Sequence, residues 1–289
     1  MRLPISARNG IRGNAGLRTQ TTICVSHTAP LVPAEFFDLA IGIGDYRPPR
    51  GAHISTLDPF WDQARPLAYG AAGNYVIPRM IPNDEGRRPD LTGIYSHRKM
   101  IARATIGRQA ERYPVYREIS VSTAQNLPPE ERRPRNDHEF LIGAPIQFPH
   151  GVVQQYAHMH HAIDLFDYLS IGVQLGVLSP GEVQEFTVDN QFVPGGCELG
   201  VYPTAWLCTT LSKLEMIGRE FVTRFAHRIR AYDSYQVRAV GFLAERLGSY
   251  LLLKEIRGRY PLGVPRDLFG CLCVLVAEGG SYSGAKVDR

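Results

Sequence analysis

The sequence predicts an α/β protein, strand-rich in its first half and helix-rich in its second, built around one sheet. Three observations carry this. β-branched and apolar runs at 22–27 and 91–99 each end in polar residues, as strands of a parallel sheet do. Apolar stripes at helical spacing fill 204–229 and 235–257. Neither an internal repeat nor a composition shift divides the 289 residues, so 21–289 is expected to be a single domain.

Taken in order, residues 1–20 carry Arg2, Arg8, Arg12 and Arg18 among Gly, Asn and Ser without an apolar core, and read as a disordered leader rather than a secretory signal. The run 22–27 is the first strand and 37–43 the second, with Gly42, Gly44, Pro48, Pro49 and Gly51 in the loop after it. That loop is not a GxGxxG turn, which excludes a Rossmann dinucleotide site. A helix is expected at 59–68, then a glycine-bearing loop to 78. The strand 91–99 ends on His97, Arg98 and Lys99, cations where an open α/β sheet binds ligands. The polar stretch 126–139 is expected to be a surface loop or mobile lid, and 140–148, with Pro145 inside it, a short edge strand or an extended segment. Residues 151–175 read as one continuous helix, followed by the two long helices and a last strand at 269–277.

Hydrophobic residues make up 44% of the chain and charged residues 21%, an ordinary globular balance. A net charge of +4 and a pI of 8.8 fall short of a nucleic-acid coat. They suit a phosphorylated substrate, or weak attraction to an anionic membrane surface. The five cysteines form no CxxC pair, so a disulfide framework or zinc ribbon is not expected and a reducing cytoplasm is. No apolar run has the length of a membrane span.

Several residues can carry chemistry. Arg98 and Lys99 suit a phosphate, one as a two-pronged fork and the other as a point charge. On a continuous helix His160 and Asp164 share a face, where they can orient an imidazole, form a general base or supply two metal ligands. Further metal ligands would come from His53, His97, Asp189 or Glu198. A structural hydrogen bond is the other reading of the pair. Arg238, Phe242 and Glu245 stand at i, i+4 and i+7 of a helix, and Glu245 with Arg246 can clamp a sugar hydroxyl or a phosphate; an intrahelical ion network is the plainer reading. The chain has no Asp-x-Asp, nucleophile elbow, P-loop or kinase signature.

The order of these elements resembles a bacterial glycosyltransferase family of capsule and O-antigen clusters, long described only as a domain of unknown function and including galactofuranosyltransferases. The likeness spans about 22–260. It runs through Ile23-Cys-Val-Ser-His27, His53-Ile-Ser55 and Gly93-Ile-Tyr-Ser-His-Arg-Lys99. It continues in Gln155-Tyr156 with His160, Asp164 and Leu165, and in Arg238 with Gly241-Phe-Leu-Ala-Glu-Arg-Leu247. The family pattern His-Tyr-Arg-Arg is here Ser96-His97-Arg98-Lys99, which shifts the histidine by one. The resemblance implies a nucleotide-sugar-binding sheet of the GT-A type flanked by helices. It implies transfer of a hexose-type sugar from a nucleoside-diphosphate donor, UDP-linked by expectation, to a hydroxyl of a polysaccharide or other glycan. His27, His97, Arg98, Lys99 and Arg238 would bind the donor phosphates, with Asp164, His160 and Glu245 as the catalytic candidates. A divalent metal would be another way to neutralise the diphosphate, but without Asp-x-Asp no cofactor is expected. No nucleic-acid partner is expected. The location implied is the cytoplasm, with peripheral attachment to the inner membrane face as its extension. A non-catalytic glycan- or partner-binding module that retains the fold is the alternative.

Overall fold

The computed structural model describes residues 18–135 and 138–282; the expected leader lies mostly outside them. In chain order the strands are β1 (Gln20–Ser26), β2 (Leu39–Gly42), β3 (Gly51–His53), β4 (Leu91–Ser96), β5 (Lys99–Ala102), β6 (Arg108–Gln109), β7 (Arg117–Ser120), β8 (Leu141–Gly143), β9 (Ile146–Gln147), β10 (Gln191–Phe192), β11 (Gly200–Pro203) and β12 (Phe269–Val276). The helices are α1 (Ile54–Leu57), α2 (Pro59–Ala68), α3 (Gly70–Tyr75), α4 (Val121–Gln125), α5 (Gly151–Met159), α6 (Ala162–Gln174), α7 (Pro180–Val188), α8 (Thr204–Ile229) and α9 (Ala239–Arg259).

Ten strands form one mixed sheet in the order β3-β2-β1-β4-β11-β8-β12-β7-β6, with β5 bridging β4 and β12. One parallel run is β3-β2-β1-β4, with Ile23 opposite both Leu39 and Ile94, and a second is β8-β12-β7. Alternation along β1 sorts the core. Ile23 and Val25 point into the large cluster beneath α2, α3, α8 and α9, while Cys24 points into a smaller one covered by Val32, Phe36, Phe37 and Ala124. Gly73 presses α3 onto β1, since a Cβ there would lie 2.3 Å from Val25 Cγ1. The segment expected as a loop after α2 is therefore a short helix of small residues.

Three further expectations are corrected. The strand 91–99 ends at Ser96, and a tight turn at His97 and Arg98 returns the chain as antiparallel β5. Residues 140–148 supply an inner strand, β8, because β11 and β12 pair on its two sides. The helix 151–175 is two helices. His160 is extended (φ −143°, ψ 178°) after its N–H closes the last turn of α5 on Tyr156 O at 2.8 Å. The helical pattern runs on through the break, which leaves Ile163 and Phe166 exposed at 52% each. Among the described residues no helix is long and apolar enough to cross a membrane.

Candidate active site

In chain order the parallel sheet grows from β1 to β2 on one side and resumes with β4 on the other. Such a switch point leaves a crevice beyond the strand ends. His27 follows β1 and His97 follows β4, and their rings meet edge-on there at 4.7 Å. Burial, with Arg65 and Arg98 beside it, lowers the His27 pKa; burial, His27, Arg98 and Lys99 push His97 down to about 3. Both rings are neutral at pH 7. They line a cavity of about 470 Å³ between the strand ends and α9.

α9 reaches the crevice because Gly241 has no side chain: a Cβ there would stand 2.9 Å from Ala68 O. This sets Arg238 at the rim, its guanidinium 5.1 Å from the Tyr69 ring and 5.3 Å from the Tyr235 ring, with no ion pair to a described carboxylate. Nearly two turns into α9, Glu245 holds a glycine loop. Its Oε1 accepts from Gly195 N at 2.9 Å and its Oε2 from Arg246 at 3.0 Å. Gly196 adopts φ +48° and lies so close that a Cβ would be 2.7 Å from Glu245 O. The loop so seated carries Glu198 into the cavity wall. Burial and the neighbouring Glu245, partly offset by Lys99 and Arg246, push the Glu198 carboxyl up to about 8. No hydrogen bond from a described residue reaches that carboxyl. A carboxyl so placed can exchange a proton near neutral pH.

The opposite wall is aromatic. Lys99 Nζ donates to Tyr116 Oη at 2.9 Å and stands 4.4 Å over that ring. Burial works against its charge, but Tyr116, Tyr282 and Glu245 outweigh burial and hold its pKa above the ordinary value. Tyr69 has φ +49° and ψ −122°, a backbone conformation that costs about 1–3 kcal/mol outside glycine. The cavity wall therefore stores strain where Tyr69 meets His27 and Arg238.

Of the residues singled out from sequence, the cavity gathers His27, His97, Lys99, His160, Arg238 and Glu245. Arg98 is not among its lining residues. The turn after β4 directs its guanidinium onto the Tyr282 ring, 4.7 Å away. Asp164 is also elsewhere: it is 1% exposed and bound by Arg228 at 2.6 Å and Tyr232 at 3.2 Å. The shared helix face expected for His160 and Asp164 does not exist, because the chain breaks between them. His53 caps α1 with both ring nitrogens occupied, and Asp189 pairs with Arg257 at 3.1 Å. None of the described residues of 126–139 lines the cavity; Glu131 and Arg135 tie that loop to Ala104 and Asp267 instead.

Sequence reasoning offered Glu198 only as a guessed metal ligand and passed over Tyr69, Tyr113, Tyr116, Tyr235 and Tyr282. One signal was present for Glu198: it is the lone charge between Phe192 and Pro203, a stretch otherwise of apolar, glycine and polar uncharged residues. Among the described residues no group of three or more His, Cys, Asp or Glu is gathered for a metal ion, and Glu245 is already engaged by Gly195 and Arg246. The described residues do not make a metal cage.

No protein-family model and no curated protein matches the chain. Among solved structures, the apo structure of the WbbM bifunctional glycosyltransferase aligns with a TM-score of 0.64 at 13% sequence identity. The alignment covers 89% of this chain and 45% of that one, so this chain spans less than half of its neighbour's length. What the two share at that identity is architecture: the chain has a glycosyltransferase-like fold.

Proposed function

We propose that this protein is a glycosyltransferase of the GT-A type that moves a sugar from a nucleoside diphosphate, UDP first among the candidates, to a hydroxyl of a glycan acceptor. The observation that carries the reading is the cavity at the strand switch point, where Lys99 and Arg238 face the carboxyls of Glu198 and Glu245. Breaking the sugar–phosphate bond builds negative charge on the leaving diphosphate. Preorganised cations stabilise that charge in a partly dry site. Lys99 and Arg238 take this role, and Arg98, stacked on Tyr282, acts behind them through its charge. The acceptor hydroxyl loses its proton as the new bond forms. Glu198, ionised over part of its population near pH 8, is the base; burial first, and Glu245 beside it second, keep its pKa high. Asp164 has no part in this assignment.

The neutral His27 and His97 rings supply hydrogen bonds to the donor without adding charge. The aromatic wall offers flat faces to sugar and base. The net charge of +4 supports peripheral attachment to an anionic inner membrane face, where lipid-linked glycans would be met.

The test is a panel of nucleotide sugars screened for thermal stabilisation, followed by hydrolysis or transfer assays on those that bind. The reading predicts that at least one donor binds and is cleaved to free nucleoside diphosphate, and that Arg238→Ala weakens the binding about tenfold or more and slows the cleavage. A panel in which none binds, with the protein folded, contradicts it.

A further inference from the structure

The break between α5 and α6 places His160 in a built setting. Its ring stacks on Phe242 at 4.2 Å and 24°, lies parallel to Tyr235 at 5.9 Å, and touches Tyr156 at 4.8 Å. Its Nδ1 is 3.0 Å from Gln236 Oε1. The Gln236 amide has only one workable orientation, because its Nε2 donates to Met159 O at 2.8 Å and a carbonyl oxygen only accepts. With Oε1 thus fixed toward the imidazole, Nδ1 must carry the proton. Nε2 is then the ring's bare lone pair. It has no hydrogen bond from a described residue, and His160 lines the cavity.

We propose that Gln236 is a positioning residue that locks His160 in the Nδ1–H tautomer, so that Nε2 serves as a neutral acceptor for a hydroxyl of the sugar substrate. The proposal rests on the glycosyl-transfer reading and adds a subsite to it. The charged groups that face the ring support it. Burial lowers the imidazole pKa, the Gln236 hydrogen bond opposes this, and Arg246 from α9 and His161 beside it lower it further, leaving it at about 4. Tyr156 from α5 has its own pKa pushed up by burial, and so does Tyr235 from the turn before α9, so neither adds charge near pH 7. An imidazole held neutral cannot donate from Nε2. It therefore selects a group with a hydrogen to give, a sugar hydroxyl, over a phosphate oxygen, which has none at neutral pH.

The lock is read directly by two-bond ¹H–¹⁵N correlation spectra of the full-length protein labelled at histidine nitrogen, with His160→Gln identifying the resonance. The wild type should hold the Nδ1–H form across about pH 6 to 8, where a free imidazole titrates. Gln236→Leu should release it into exchange between tautomers. Gln236→Glu keeps an acceptor at Nδ1 but adds a negative charge, which favours imidazolium and should raise the midpoint by at least about one pH unit. Because protonation of Glu198 already lowers kcat/KM below about pH 8, His160 shows in the hydrolysis assay, for whichever nucleotide sugar binds, as a second and steeper acidic break, which should move up with the midpoint in Gln236→Glu. A wild-type ring protonated at Nε2, or a second acidic break that stays in place in Gln236→Glu, overturns the proposal. A locked tautomer in a protein that cleaves no nucleotide sugar instead refutes the glycosyl-transfer reading and, with it, the sugar hydroxyl as the acceptor's partner.

Discussion

Glu215 on α8 and Glu198 in the cavity wall are both withdrawn from water, yet their pKa values move in opposite directions. Glu215 receives Arg79 at 2.7 Å, Arg219 at 2.9 Å and the Trp61 indole at 3.0 Å, and Asp58 shares both arginines. Burial raises its pKa, but those three donors more than offset the rise and leave it below the ordinary value. Glu198 has no such donors and a second carboxylate nearby, so it rises to about 8. The first cluster is closed around its carboxylates: each oxygen of Glu215 and Asp58 accepts a hydrogen bond inside the protein, and the cluster ties α1 and α2 to α8. The second is open, and its unmet capacity is what a substrate can use. Satisfaction, more than the presence of charge, separates a group that holds the fold from one that acts.

The comparison breaks first on stability. Glu215→Ala leaves Arg79 and Arg219 with Asp58 alone and should cost about 2–3 kcal/mol of folding free energy, the scale of losing hydrogen bonds to a charged group. Denaturant unfolding would show this as a lower midpoint, with turnover per folded molecule unchanged. Arg238→Ala removes a cation that no described carboxylate holds. It should weaken donor binding by about 1.5–3 kcal/mol, roughly tenfold or more by titration calorimetry, with little change in stability.

The pH dependence of stability sharpens the same contrast. Glu215, with its pKa depressed on folding, contributes stability above the ordinary carboxylate value and loses it as the pH falls through the folded value. Glu198 is the reverse. Between about pH 4.5 and 8 the unfolded chain releases its proton while the folded one keeps it, so stability falls as pH rises through that window. Glu198→Gln should flatten the decline toward pH 8, and Glu215→Gln should flatten the loss on the acid side. The smallest effect concerns Tyr69. Tyr69→Gly relieves a positive φ and should raise stability by about 1 kcal/mol while slowing turnover, since the ring beside His27 and Arg238 is gone. Unchanged turnover would mean that the strain serves no purpose in the site.

Much of the frame was legible in the sequence because it follows from local pattern. α2 and α8 begin and end where their apolar spacing and Pro59 or Pro203 place them. β1 and β12 stand out by their β-branched and apolar runs, and β1 ends one residue before the histidine that enters the cavity. The motif from Arg238 to Leu247 named residues that do reach the crevice, as Gly241 and Glu245 show. What pattern could not supply was contact across the chain. His160 looked helical because Val152, Tyr156, Ile163 and Phe166 keep the spacing, but Gln236 and Phe242, far off in sequence, hold it extended. Glu198 carries no periodic signal, since its environment comes from Glu245, Lys99 and burial together. Arg98 looked exposed at a strand end until Tyr282 came to lie against it.

The most direct test pairs the two glutamates under the same substitution. Glu198→Gln and Glu215→Gln each remove one titratable carboxyl from a half-buried position and change almost nothing in size. Turnover of the best donor and thermal unfolding would be measured for both. The account predicts that Glu198→Gln loses about 10²-fold or more in turnover, the scale of a general base, with its melting temperature held or raised. Glu215→Gln should lower the melting temperature and leave turnover per folded molecule intact. The opposite pairing, full activity in Glu198→Gln or lost activity in a stable Glu215→Gln, would contradict it.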